Sequence, residues 1–160
     1  MSDPLTVVRP QHELVLERTF DAPPARVFQA WTDPEMLKKW FAPKPFTTPE
    51  AILDVRTGGA SLIVMRDAEG NDYPNAGVYL EVVPSRRLVS TDAYVAAWVP
   101  SERPFMTMDL NFEDLGDGRT KATYIISHWT EEARQQHIEM GFTEGWGQCA
   151  DQLAELLAGS

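Results

Sequence analysis

The sequence predicts an α+β domain in which an antiparallel sheet lies against a long C-terminal helix. Three observations carry this. Between about residues 48 and 128, short β-rich runs are separated by turn signals: Thr57-Gly58-Gly59, Asp67 to Asn71, Pro84-Ser85 and Gly116-Asp117-Gly118. That is the texture of a meander with hairpin turns. Within it, Met106, Met108, Leu110 and Phe112 alternate with Thr107, Asp109, Asn111 and Glu113, so one sheet face is apolar and needs a cover. Finally, Trp146, Cys149, Ala150, Leu153, Leu156 and Leu157 fall on one helical stripe, with Glu144, Gln148, Asp151, Gln152 and Glu155 opposite, which supplies the cover.

The elements follow in order. Residues 12–20 are rich in strand formers, and Asp21-Ala22-Pro23-Pro24 stops that strand. Pro24 suits the first position of a helix, where its missing N–H does no harm, and Val27, Phe28, Ala30 and Trp31 recur at helical spacing. Asp33 is placed to cap a second short helix with Pro34 at its first position and Met36, Leu37, Trp40 and Phe41 along it. In residues 60–66, an outward Arg66 turns Ile63 and Met65 inward. The strand near 119–128 places Lys121, Thr123 and Ser127 on one face and Ala122, Tyr124, Ile126 and His128 on the other. A helix over about 131–140 is expected, capped by Thr130 and ended by Gly141, and Thr143 is expected to cap the last helix.

Composition narrows the function classes. The 160 residues carry 14 Lys and Arg against 24 Asp and Glu, a net charge of −10. An acid excess disfavours nucleic acid, whose binders cluster basic residues, and anionic membranes. Apolar residues make up 43%, too many for a disordered chain. The single cysteine, Cys149, permits no internal disulfide and no cysteine-based metal centre. Residues 1–10 lack a signal-peptide core and no stretch reaches the length of a membrane span, so a cytoplasmic location is expected. No repeat, linker or low-complexity tract divides the chain, so residues 1–160 are expected to form one domain with an ordered core at about 12–158.

Four short patterns then carry a family resemblance. Arg18 to Pro24 with Val27-Phe28, Ala30 to Pro34 and Trp40 forms the first; Asp54-Val55-Arg56 with Gly58-Gly59 the second; Gly77 with Glu81, Pro84 and Arg87-Leu88 the third; Met140-Gly141-Phe142 with Gly145-Trp146 and Leu153 the last. In this order they resemble the branch of the START/SRPBCC superfamily named for activators of the heat-shock protein 90 ATPase. The resemblance spans residues 12–158. It implies a helix-grip fold, like that of START domains and the birch-pollen allergen: a curved antiparallel sheet wrapped around a long C-terminal helix. Two short helices after the first strand would plug one end, and a cavity would lie between helix and sheet. Two departures stand out. The family often carries two tryptophans and a glycine where this chain has Trp40-Phe41-Ala42, and residues 93–104 match none of its patterns.

No established catalytic constellation is visible, and no cofactor or metal is expected. Thr57-Gly58-Gly59 continues into Ala60-Ser61 and reads as a hairpin turn, not a phosphate-binding loop. His128 and His137 lack metal-ligand spacing, and His12 is remote in sequence. His128 reads as a rim histidine or as a polar anchor inside an apolar cavity, and His137 as a packing residue. Glu17, Arg18, Glu81 and Arg87 read as an exterior ion-pair ladder, with Arg18 kept as a minor cavity candidate. Asp109 faces outward. Cys149 reads as a small core residue.

The cavity residues expected are Trp40, Met65, Trp98, Met106, Met108, Tyr124, His128, Trp129, Met140, Phe142, Trp146 and Cys149. Trp31 and Phe105 belong to the same bulky set. Methionine gives an adaptable wall and tryptophan a broad ring with one N–H, which suits a flat or greasy ligand; a tight core would use the same residues. Three functions follow. The first is binding of a hydrophobic small molecule, without catalysis. The second, implied by the family, is a chaperone-linked interaction in the stress response. The third is a polyketide cyclase- or hydrolase-like enzyme with His128 or Tyr124 as acid or base. Trp98, in the unmatched segment, is expected to mark either a homodimer contact or a lid over the cavity.

Overall fold

The computed structural model describes residues 12–102 and 104–159. The chain opens with β1 (Glu13–Phe20), then α1 (Pro24–Thr32) and α2 (Pro34–Trp40). The strands β2 (Thr47–Leu53), β3 (Ala60–Arg66), β4 (Asp72–Val83) and β5 (Arg87–Thr91) follow. A small hairpin, β6 (Tyr94–Ala96) and β7 (Val99–Pro100), precedes β8 (Met106–Gly116) and β9 (Arg119–His128). The chain ends in α3 (Glu131–Glu139) and α4 (Phe142–Ala158).

The main sheet has seven strands in the order β1-β9-β8-β5-β4-β3-β2, antiparallel at each pairing. Its edges are therefore β1 and β2, consecutive strands joined by the two short helices, which close the end of the sheet between them. The expected α+β, helix-grip architecture is the one observed.

Register places the apolar residues of neighbouring strands side by side. Leu110 faces Leu88 on β5 and Tyr124 on β9, and Tyr124 in turn faces Leu16 on β1. Since alternate side chains point to opposite faces, this row fixes the inner face of every strand it touches. Against it, α4 presents Cys149, Ala150, Leu153 and Leu157, all buried. Full burial of a leucine such as Leu153 stabilises by about 2 kcal/mol.

Local signals act as the sequence predicts at most helix ends. Pro24 and Pro34 occupy the first turns of their helices. The Asp33 carboxylate accepts from the Glu35 N–H at 2.9 Å, and Thr130 Oγ1 accepts from Ala133 N–H at 3.0 Å. Thr143 is the exception. The last helix begins two residues earlier than a Thr143 cap would set it, and Gly141, at φ 91°, both ends the α3 segment and stands at the cap position of α4. One left-handed residue makes the corner, which leaves no cap position for Thr143.

The α1–α2 plug is held to α4 by polar contacts as well as packing. The Trp31 and Trp40 rings meet edge to face at 4.7 Å, and Trp40 Nε1–H donates to the Ala30 carbonyl at 3.0 Å. Gln152 on α4 donates through Nε2 to the carbonyls of Trp40 and Ala42 at 2.7 and 2.9 Å. Those carbonyls lie where α2 ends and have no helical partner of their own. Ala42 sits at φ 90°, a conformation that favours glycine, and the family pattern often has glycine there. The alanine carries a backbone cost on the order of 1 kcal/mol. Gly59 is fixed by a different constraint: a Cβ there would stand 1.9 Å from the Asp54 carbonyl oxygen.

The outer sheet face carries an ion-pair ladder. Arg87 binds Asp109 at 2.8 Å and Glu81 at 3.1 Å, and Lys121 stands 3.5 Å from Glu17. Arg18 is not part of it. Its strand position follows Leu14 and Leu16 to the inner side, where its guanidinium pairs with Asp151 of α4. It ties the sheet edge to the helix and does not line the cavity described below. No helix among the described residues is long and apolar enough to cross a membrane.

Candidate functional site: the cavity between helix and sheet

The inner sheet face and α4 do not meet along their whole length. They flank a cavity of about 540 Å³ that is partly open to solvent. From β3 come Ser61, Ile63 and Met65, and from β4 Asn75, Gly77 and Tyr79. Leu88 and Ser90 on β5 and Met106, Met108 and Leu110 on β8 continue the wall. Trp31, Leu37 and Phe41 from the plug helices form one end. The helical side is Phe142, Gly145, Trp146 and Cys149, at i, i+3, i+4 and i+7. Gly145 explains part of the space: a Cβ at this position would meet no heavy atom within 4 Å. Met140, 69% exposed, stands at the rim.

Of the residues expected at the cavity, Met65, Met106, Met108, Met140, Phe142, Trp146 and Cys149 line it. The others stand elsewhere, each for a physical reason. Trp40 is packed into the plug behind Trp31. Tyr124 and His128 are on the inner face of β9 but belong to the filled part of the core. Trp129 follows inward-facing His128 and so turns to the opposite side, where it is half-exposed. Trp98 occupies a left-handed position at the tip of the β6–β7 hairpin, 84% exposed, with its ring 5.9 Å from Tyr94 and away from the cavity wall.

The lining also includes residues the sequence reading did not select. Ser61 was legible, since it alternates with inward Ile63 and Met65. Asp92 was not, because it follows the end of β5, where alternation lapses. His137 needed the tertiary structure: it is buried, lines the cavity and reaches behind the wall to His128.

Those two histidines form an ordered chain. His128 Nδ1 lies 3.0 Å from the His12 carbonyl oxygen, and its Nε2 lies 2.8 Å from His137 Nδ1. His137 Nε2 in turn accepts from Trp146 Nε1–H at 3.4 Å. The two ends fix the protons between them. A carbonyl only accepts, so His128 carries its hydrogen on Nδ1; an indole N–H only donates, so His137 Nε2 is bare. The hydrogen between the rings then belongs to His137 Nδ1, and both imidazoles are neutral. Burial, with His128 alongside, pushes the His137 pKa down to about 4, which agrees.

Other groups are chemically quiet. Burial pushes the Cys149 thiol up to about 11, so it is a thiol and a wall residue, not a nucleophile. Burial raises the Tyr124 phenol far above its usual value. Its hydroxyl and Trp31 Nε1 are both buried without a well-formed hydrogen bond, although their rings touch edge to face at 5.6 Å. An unsatisfied buried hydroxyl costs about 1–3 kcal/mol. Tyr124→Phe is therefore expected to leave stability within about 1 kcal/mol of the parent or to raise it, read from urea midpoints; a loss above 2 kcal/mol would show a hydrogen bond to that hydroxyl. Asp92 lines the cavity with its Oδ1 accepting from the Phe105 and Met106 N–H groups at 2.8 and 3.1 Å. No cluster of three or more potential metal ligands occurs among the described residues.

A curved antiparallel sheet, two plug helices and a long helix with a cavity between helix and sheet define a helix-grip protein of the START/SRPBCC kind. The family model described as activator of Hsp90 ATPase homolog 1-like protein matches residues 21–158, and the chain belongs to that family. Among solved structures, a protein from Nitrosomonas europaea is 41% identical with a TM-score of 0.87, covering 91% of this chain and 94% of its own. One from Staphylococcus epidermidis is 28% identical with a TM-score of 0.75, covering 96% of this chain and 94% of its own. An AHSA1-like protein from Aeromonas hydrophila, 17% identical with a TM-score of 0.71 and 92% coverage of both chains, shares the fold. No curated protein matches the chain.

Proposed function

We propose that this protein binds a hydrophobic small molecule in the cavity between α4 and the sheet. One observation carries the reading: a largely apolar, partly open pocket of about 540 Å³ lies between α4 and the sheet, beside a core of buried residues. Sites for small molecules are concave, mostly apolar and about 300–1,000 Å³ in volume, which this pocket matches. The wall composition supports the same reading. Met65, Met106 and Met108 supply flexible, polarisable side chains, while Trp31, Phe41 and Trp146 supply flat faces. Binding requires no reaction, and the two groups first considered as acid or base, His128 and Tyr124, are not in the wall.

The test is a thermal-shift and calorimetric panel of neutral aromatic compounds of two to three rings and medium-chain alcohols. A ligand at 100 times its Kd stabilises by about 2.7 kcal/mol, so binders are expected to raise Tm by several degrees. No shift and no heat across the panel would defeat the reading. The family description favours a second reading, stimulation of a chaperone ATPase. Retention on an immobilised Hsp90-type chaperone together with ATPase stimulation would support it.

A further inference from the structure

We propose that the cavity selects neutral ligands that donate a hydrogen bond, apolar molecules bearing a hydroxyl, and rejects apolar carboxylates of the same shape. The proposal rests on the small-molecule reading and adds to it the chemistry of the ligand's polar group.

The first observation is the direction of the histidine chain. His137 lines the cavity, its Nδ1 is engaged by His128 behind the wall, and its Nε2 is met by Trp146, itself a lining residue. Because the His12 carbonyl fixes the His128 tautomer, Nε2 of His137 is an acceptor and not a donor. The contact it receives from Trp146, at 3.4 Å, is longer than an ordinary N–H bond, so a better donor can take its place. A ligand hydroxyl supplies one; a carboxylate meets a second lone pair.

The second observation is independent. Asp92 contributes a carboxylate to the lining, with Oδ1 held by two backbone N–H groups and no hydrogen bond to Oδ2 among the described residues. That free oxygen also accepts. Among the described residues no lysine or arginine lines the cavity to compensate a bound anion. A carboxylate brought into this largely apolar space would lose part of its water, meet a like charge and gain no donor from His137 or Asp92. The inner hydroxyls of Ser61 and Ser90 serve donors and acceptors alike and do not reverse the bias.

Three probes of one shape separate the outcomes: naphthalene, 2-naphthol and 2-naphthoate, measured by calorimetry at pH 7.5. 2-Naphthol is expected to bind about three- to tenfold more tightly than naphthalene, the worth of one hydrogen bond, and 2-naphthoate at least about tenfold more weakly than 2-naphthol. Two variants trace the preference to its source. Asp92→Asn puts an amide donor where the free oxygen stands and is expected to bring 2-naphthoate to within about threefold of 2-naphthol. His137→Phe, which keeps an aromatic ring, is expected to remove the advantage of 2-naphthol over naphthalene; should that variant not fold, Asp92→Asn still decides. Equal binding of all three probes, or tighter binding of 2-naphthoate, overturns the selectivity while leaving the cavity reading intact. Binding of none overturns both.

Discussion

Replacing Gly145 by phenylalanine is expected to lower affinity for any cavity ligand by at least about tenfold while the protein stays folded. Gly145 lies on the inner stripe of α4 between Phe142 and Cys149 and lines the cavity. A Cβ built there meets nothing within 4 Å, so the larger side chain enters the space a ligand would use and does not displace the core. The backbone gains as well. Glycine within a helix costs about 0.5–1 kcal/mol relative to alanine, so Gly145→Ala is expected to raise stability by about that amount. The pair separates occupancy from folding: Ala stabilises with modest effect on binding, and Phe blocks. Calorimetric Kd values beside urea midpoints read both. A phenylalanine variant that binds as tightly as the parent would place the ligand outside the cavity.

The second large effect is on stability in acid. In the folded protein, burial and the neighbouring His128 hold the His137 pKa at about 4. In the unfolded chain the imidazole takes its proton near 6.5. Between these values the unfolded state binds more protons, so stability falls as pH falls, by up to about 1 kcal/mol per unit. Above 6.5 the ring is neutral in both states and contributes no slope; below about 4 it is protonated in both. A second proton on the histidine pair has no acceptor in the chain and sets an N–H against Trp146 Nε1–H, so the wall itself is disturbed. The depressed carboxylates Asp67, Asp72 and Glu131 act lower, through the carboxylate range. Urea denaturation at half-unit steps is expected to show a decline from pH 6.5 toward 4 that is much shallower in His137→Phe. That variant is less stable at pH 7.5, since it strands His128 Nε2 and the Trp146 N–H. An equal decline in both proteins would place the acid sensitivity elsewhere.

The fold was legible because its signals are periodic. Alternation in residues 106–112 and 122–128 named the inner face, and the spacing of Trp146, Cys149, Leu153 and Leu157 named the covering stripe; each reads from a few neighbouring residues. The cavity was legible only in part, and the division is physical. Met65, Met106 and Met108 lie on regular strands, where face follows from parity. Tyr124 lies on an inner strand face too, and Trp40 on the buried side of α2, but periodicity does not distinguish a residue beside a void from one inside a filled core. That depends on what stands opposite, here the plug helices. Trp98 stands in a turn between short strands, where parity lapses, whereas parity with inward His128 turns Trp129 outward, against the cavity position expected for it. The polar wall was the least visible. Asp92 is fixed by backbone N–H groups from Phe105 and Met106, and His137 by a partner nine residues away across a strand-to-helix junction. Neither contact has a local pattern in sequence.

The measurement that bears most directly on cavity binding is a methyl-resolved NMR titration with 2-naphthol. Met106 and Met108 line the interior of the cavity, Met65 its β3 wall and Met140 its rim, whereas Met36 packs in the plug away from it. Saturable shifts of the Met65, Met106 and Met108 methyls, with Met36 unmoved and the response lost in Gly145→Phe, are the predicted result. Saturable binding that leaves the Met106 and Met108 methyls unmoved would contradict a ligand site between the helix and the sheet.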